Sequence, residues 1–390
     1  MSWDLILAII FYALIVLFYF KNKKKFEVQS GIFFLYKTKW GLKLMDKLAT
    51  KYPRTLKVLE NISIVVSFIG MAFIFIFLFI ATVKLILQPG STPALAPVLP
   101  GIQISPDLPV LGFWHWIIAI FVVAVIHEFA HGVYARFHKI PVKSSGFAFL
   151  GPILAAFVEP DEKILPKKSK KAQLTVFSAG PFSNILLAIV LIILSLLIIN
   201  PVATSFLEYQ GVNVLSVEED GPFAQAGILP GQTITSFNNV EIATINDFIE
   251  QINLIEPNQE ITVSTLNESY PVIISTKEDN KPFLGVTVSP NEVGVRPGTY
   301  STIFGNLFVW LAKLFSWIYI ISLGVGLFNL LPLGPIDGGR MFFVLALSLT
   351  KDEKKAKKWW TYISFFCLLL IFINLLPYLI TLLKYIISLF

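Results

Sequence analysis

The segment VIHEFAHGVY, Val125 to Tyr134, carries two histidines four residues apart with a glutamate directly after the first. On a helix that spacing puts His127 and His131 on one face, one turn from each other. Two imidazoles so placed can bind one Zn2+, and Glu128 can reach a metal-bound water as general base. The chain has only 4 histidines, which makes a chance HExxH improbable. Histidines that merely bond neighbouring helices would not need the glutamate. The flanking residues are apolar, and ionisable groups at bilayer depth cost on the order of 3 kcal/mol each, so such groups mark function.

A catalytic zinc site takes three protein ligands and keeps a fourth position open. His115 lies 12 residues before His127, about 18 Å away at the helical rise. His138 follows the helix in a basic loop, and both are expected to be interfacial side chains. Acidic groups near a membrane boundary remain as candidates. Asp337, in NLLPLGPIDGGR, stands out among them. Gly and Pro break the helix around it, and irregular backbone at membrane depth is tolerated only where it lines a protein cavity.

Six apolar runs must position these residues. They are Trp3 to Phe20, about Ile62 to Leu87, Phe113 to about Tyr134, about Leu174 to Ile199, about Ile303 to Leu331 and about Trp359 to Phe390. Each is near the roughly 20 residues that cross a bilayer. The chain of 390 residues is 55% hydrophobic and 14% charged, against about a quarter charged in soluble domains. Residues 21–59, 136–171 and 340–358 hold 25 of the 31 Lys and Arg, and the loop from Gln88 to Gly112 holds none. The positive-inside rule places these three basic loops in the cytoplasm and the HExxH near the cytoplasmic side. In the first run, KNKKK follows the apolar stretch with no Ala-x-Ala site, so an uncleaved signal anchor is expected there. Basic residues that flank spans argue against a nucleic-acid partner. The single cysteine, Cys367, is expected to be a packing residue.

Between the fourth and fifth runs the chain turns polar and acidic, with 13 Asp and Glu against Lys277, Lys281 and Arg296. Alternation at Val212, Val214 and Ser216 predicts a half-buried strand, and Gly227 a helix C-cap. Gly211 to Val214, Gly221 to Ala224, Ala226-Gly227-Ile228 and Pro230-Gly231-Gln232 resemble a PDZ domain of the type found in bacterial membrane proteases. Gln232 stands where an acidic residue is usual, and Asn238-Asn239 where Asn-Gly is usual. The resemblance implies a domain able to take a peptide, most often a C-terminus, as an added strand. The topology places it outside.

HExxH in one span, with Asn329, Pro332, Asp337 and Gly338 in a later one, resembles the site-2 protease family of intramembrane zinc metalloproteases. Ile336 replaces the leucine of the family's second motif. SAGPFSN, Ser178 to Asn184, matches its Gly-Pro-x-x-Asn element. The resemblance implies His127, His131 and Asp337 as zinc ligands and Glu128 as general base. It also makes Asn184 and Asn329 candidates for the oxyanion or the substrate backbone. Single-span membrane proteins in a lipid bilayer are the implied substrates. Ser144 to Pro160, apolar but broken by Gly and Pro, suits a re-entrant hairpin offering a strand edge to an unwound helix.

The expected architecture is a polytopic α-helical membrane protein of about six transmembrane helices with an inserted extracytoplasmic PDZ domain. Its parts are an N-terminal membrane region (1–112), a first catalytic portion (113–204), the PDZ domain (205–299), a second catalytic portion (300–345), and a basic loop with a last span (346–390). Two rival classes exist. A scaffold or adaptor binding partners through its PDZ domain would not need Glu128. A metal-ion transporter would carry more ionisable groups in the facing spans.

Overall fold

The computed structural model describes residues 3–29, 33–88, 91–101, 110–150, 153–256, 258–276, 282–295 and 298–387. The chain divides into two compact units, residues 1–195 with 313–390, and residues 196–312.

The first unit begins with helix α1 (Trp3–Asn22) and two strands, β1 (Phe26–Gln29) and β2 (Phe33–Thr38). Helices α2 (Leu42–Lys51), α3 (Pro53–Leu87) and α4 (Phe113–Phe137) follow, α3 opening on a proline whose missing N–H costs nothing in the first turn. Strands β3 (Val142–Leu150) and β4 (Ile153–Pro160) then fold as a hairpin, whose tip, residues 151–152, lies outside the described residues. The four strands form one antiparallel sheet in chain order, so β4 is an edge. Helix α5 (Lys170–Leu194) starts at Ser169, whose hydroxyl accepts a hydrogen bond from the Ala172 amide at 3.2 Å.

The second unit continues through a π-helical turn (Ser195–Ile199) and α6 (Asn200–Ser205) into β5 (Leu207–Val217) and α7 (Pro222–Gln225). After these come β6 (Thr233–Phe237), β7 (Val240–Glu241), α8 (Ile245–Leu254), β8 (Glu260–Thr265), β9 (Ser269–Ile273), β10 (Ser275–Thr276), β11 (Pro282–Phe283) and β12 (Val286–Val295). The main sheet runs β12-β5-β6-β8-β9, with β7 paired to β6, and buries Val212, Val214, Phe223, Ile234 and Phe248. The predicted strand and the C-cap at Gly227 (φ 87°) are both present. Asn238 and Asn239 take φ of 48° and 65°, the left-handed turn that asparagine tolerates. Gln232 replaces the usual acid with an amide that accepts from the Leu229 N–H at 3.0 Å and donates to Tyr270 Oη at 2.8 Å.

Three more helices complete the chain: α9 (Thr299–Asn329), α10 (Asp337–Thr350) and α11 (Glu353–Ile387). Among the described residues five helices are long and apolar enough to cross a membrane: Pro53–Leu87, Phe113–Phe137, Lys170–Ser205, Thr302–Asn329 and Glu353–Thr381. They fall on the second to sixth apolar runs. The first run, expected as a further crossing, forms α1, within which Ile6–Asn22 counts as a shorter apolar helix. Asp337 was expected at the end of the fifth span. That span instead stops at Asn329, and Asp337 opens the separate helix α10. The apolar repeat in MFFVLALSL sustains α10 where a basic loop was expected; the lysines begin only at Lys351.

Candidate metal centre and active-site cavity

Helix α4 presents His127, Glu128 and His131 from one turn and a half of backbone, as their spacing dictates. Asp337 reaches them from the first turn of α10. Its Oδ2 lies 3.1 Å from His127 Nε2 and 3.3 Å from His131 Nε2. The three ligand atoms all fall within 4.8 Å of one another. Both histidines are buried, at 8% and 9% exposure. Asp337 can sit there because Gly338 lets α10 start against the chain that precedes it. A Cβ on Gly338 would overlap the Leu330 and Leu331 carbonyls.

Helix α5 fixes the far side of both rings. The His131 Nδ1–H donates to the Val176 carbonyl at 2.6 Å, which leaves Nε2 with its lone pair toward Asp337. Asn184, fully buried, places its amide 3.0 Å from His127 Nδ1, while its Oδ1 has no partner. An Nδ1–H donor requires the opposite amide orientation, which also satisfies Oδ1. Asn184 therefore stands behind the ligand. The resemblance made it a candidate for the oxyanion or the substrate backbone. In the structure it lies buried against His127, from where it can orient the imidazole, and it is not among the residues lining the cavity described below.

Gly180 forms the floor of the centre. A Cβ built there would fall on the Nε2 atoms of both histidines. Pro181 follows inside the helix, where it removes one backbone donor and loosens the turn. Gly180 and the Val176 carbonyl were not singled out from the sequence as parts of the site. The Gly-Pro pair in an apolar run was the available signal.

A cavity of about 700 Å³ opens in front of the centre, lined by His127, Glu128, His131, Asp337, Asn329 and the β4 residues Phe157 to Pro160. Asn329 donates from Nδ2 to the Val325 carbonyl at 3.0 Å while lining this cavity. Glu128 Oε2 accepts from the Val158 N–H at 3.0 Å. Because among the described residues β4 pairs only with β3, this N–H points off the free edge of the sheet. By the alternation of an antiparallel strand, the N–H and C=O groups of Leu154 and Ala156 point the same way. At the rim, Lys37 pairs with Glu27 at 2.7 Å and with Glu159 at 3.4 Å. The Ser144 hydroxyl donates to Glu159 at 2.6 Å, and this bond together with Lys37 holds the Glu159 carboxyl below its usual range. His138 is not part of the centre; its Nε2 lies 3.0 Å from Glu60.

The donor set suits zinc. Tetrahedral ligands at about 2.0–2.1 Å from one ion lie roughly 3.3 Å apart, close to the observed 3.1 and 3.3 Å. Two imidazoles and one carboxylate, over a floor without a side chain, match a three-ligand site with an open position.

Comparison with known proteins agrees. The model for peptidase family M50 matches residues 115–378. An uncharacterized protein of Methanocaldococcus jannaschii is 29% identical over 336 residues, 86% of this chain and 82% of its own. A Staphylococcus aureus protein provisionally named a zinc metalloprotease is 20% identical over 293 residues, 61% of this chain and 66% of its own. Among solved structures, the PDZ domain of an SdrC-like protein from Listeria monocytogenes is 22% identical with a TM-score of 0.20, covering 20% of this chain and 88% of that one. Its counterpart from Listeria innocua is 26% identical with a TM-score of 0.19, covering 22% and 98%. With HExxH, the aspartate ligand and the Gly-Pro-x-x-Asn helix converging on one centre inside the matched region, the chain belongs to peptidase family M50, and it is a membrane metalloprotease.

Proposed function

We propose that the protein is an intramembrane zinc endopeptidase that hydrolyses peptide bonds in or near the transmembrane segment of single-span membrane proteins. The observation that carries this reading is the meeting of His127, His131 and Asp337 with Glu128 in a cavity walled by an unpaired strand edge. A zinc ion held by the three ligands would supply Lewis acidity and a water nucleophile at neutral pH. Glu128 takes the proton of the attacking water and later delivers it to the leaving amine. Val176 and Asn184 keep the imidazoles aligned while this happens. Asn329 lines the cavity, which supports a role in holding the substrate backbone.

A helical substrate hides its carbonyls in its own hydrogen bonds, so it has to unwind before it can be cut. The outward N–H and C=O groups of Leu154, Ala156 and Val158 offer the freed backbone new partners. A substrate carbonyl that takes over the Val158 N–H would displace Glu128 Oε2 and free the base as it docks. The distribution of basic loops supports a centre toward the cytoplasm and a PDZ-like domain outside, where it would screen substrates or hold a peptide C-terminus.

The test is cleavage of labelled single-span substrates by the purified chain in lipid vesicles, with the cut mapped by mass spectrometry. The proposal expects a cut in or beside the membrane segment that stops when zinc is chelated and returns when zinc is restored. A zinc-loaded protein that cuts none of a broad substrate panel would contradict it.

A further inference from the structure

A second hollow, of about 130 Å³, lies beside the large cavity. Glu128, Phe157 and Val158 line both, so the hydrogen bond from Val158 to Glu128 stands between the two spaces. The remaining walls are mainly apolar: Val125 and Phe129 of α4, Met45 of α2, and Phe147 and Ala156 of the sheet. The two hydroxyls in the wall are already engaged. Thr38 Oγ1 donates to the Ser145 carbonyl at 3.0 Å, and Ser145 Oγ donates to the Trp40 carbonyl. The hollow therefore presents hydrocarbon and no unpaired hydroxyl.

The sheet register says what faces it. Ser145 pairs with Val158 and Phe147 with Ala156, so these four side chains share one face of the sheet. That face looks onto α4, because Phe147 packs on Phe121 at 6.0 Å between ring centroids. A chain added to the free edge of β4 would alternate its side chains in the same way. Every second residue would point to this face, and the one nearest Glu128 would meet the hollow.

We propose that this hollow is a specificity subsite that receives one apolar side chain of the substrate, leucine or phenylalanine, next to the cleaved bond. The proposal rests on the proteolytic reading above. The size fits, because a buried apolar space of about 150 Å³ accommodates a benzene ring. The chemistry fits as well. An aspartate there would give up its water for a mainly apolar wall and would lie against the Glu128 carboxylate, a like charge.

The experiment compares the wild type with two wall variants, V125F, which fills the hollow, and F129A, which widens it. Neither side chain belongs to the centre. The substrates are single-span proteins carrying Gly, Ala, Leu, Phe, Trp or Asp at each residue flanking the mapped cut. Zinc content is measured on every preparation as the check on folding. At one flanking position the wild type should prefer Leu and Phe to Gly and Asp by about 10-fold or more in kcat/KM. V125F should lose about 10-fold on Leu and Phe while Ala and Gly substrates change little, and F129A should shift the preference toward Trp. A zinc-loaded pair of variants with the wild-type preference, or with all substrates slowed equally, overturns the subsite and leaves the proteolytic reading standing. Absence of any cleavage by the zinc-loaded wild type overturns both.

Discussion

The steric constraint at Gly180 bears directly on both histidines, and it allows a sharp prediction. In Gly180→Ala the new methyl would lie 2.5 Å from His127 Nε2 and also against His131 Nε2. Carbon in ordinary contact needs about 3.5 Å or more, so the rings or α5 would have to retreat by about 1 Å. Metal sites tolerate only about ±0.2 Å in ligand distance. The variant therefore cannot keep both imidazoles on one ion. Disturbing an outer-shell partner alone costs about 10–100-fold in metal affinity. Losing the ligand geometry itself should cost at least 100-fold, or about 2.8 kcal/mol at 1.4 kcal/mol per decade. Alanine in a helix interior is favoured over glycine by about 0.5–1 kcal/mol, so α5 is not weakened. Competition with a fluorescent chelator reads the zinc affinity, and thermal unfolding of the metal-free protein reads the fold. Wild-type zinc affinity in Gly180→Ala would refute the placement of the centre against α5.

Other expectations follow from single contacts. Asn184→Leu should lower zinc affinity by about 10–100-fold through loss of the imidazole's partner, with cleavage recovering at high zinc; unchanged affinity would remove Asn184 from the centre. Asp337→Ala should lose bound zinc outright, read as metal per chain after dialysis. Val158→Pro removes the outward N–H without costing a ladder bond, since proline is tolerated on an outward edge position. It should raise KM for membrane substrates while leaving zinc content at the wild-type level. Ser144→Ala should let the Glu159 carboxyl rise toward its ordinary value. A depressed carboxylate stabilises the fold above its unfolded pKa of about 4.3 and loses that contribution as pH falls through the folded value. The wild type should therefore lose more Tm than Ser144→Ala on acidification from about pH 6 to pH 3. Parallel Tm curves would show that the Ser144 bond is not the cause.

The candidate ligands, which the structure brings together, were legible in the sequence because their chemistry is local. HExxH needs only one helical turn, and Asp337 sits in a Gly- and Pro-rich break that marks irregular backbone. The left-handed Asn238-Asn239 turn and the Gly227 cap were legible for the same reason. What escaped depends on pairing between distant segments. Strands β1 and β2 come from a stretch between basic clusters, and they become part of a sheet only by joining β3, as Tyr36 opposite Phe147 does. The hairpin edge was expected, but the hydrogen bond that its Val158 N–H makes to Glu128 was not, because it depends on how β4 lies against α4. Asn184 was legible as a site residue, but its side of the imidazole was not, since that depends on how α5 crosses α4.

The central claim is that Glu128 performs the chemistry over a zinc centre built by its neighbours. It is tested most directly by measuring zinc content and cleavage of one single-span substrate on the same vesicle preparation of Glu128→Gln. The account predicts zinc per chain equal to the wild type, with cleavage reduced by about 100-fold or more. Cleavage at the wild-type rate by a zinc-loaded Glu128→Gln protein would contradict it.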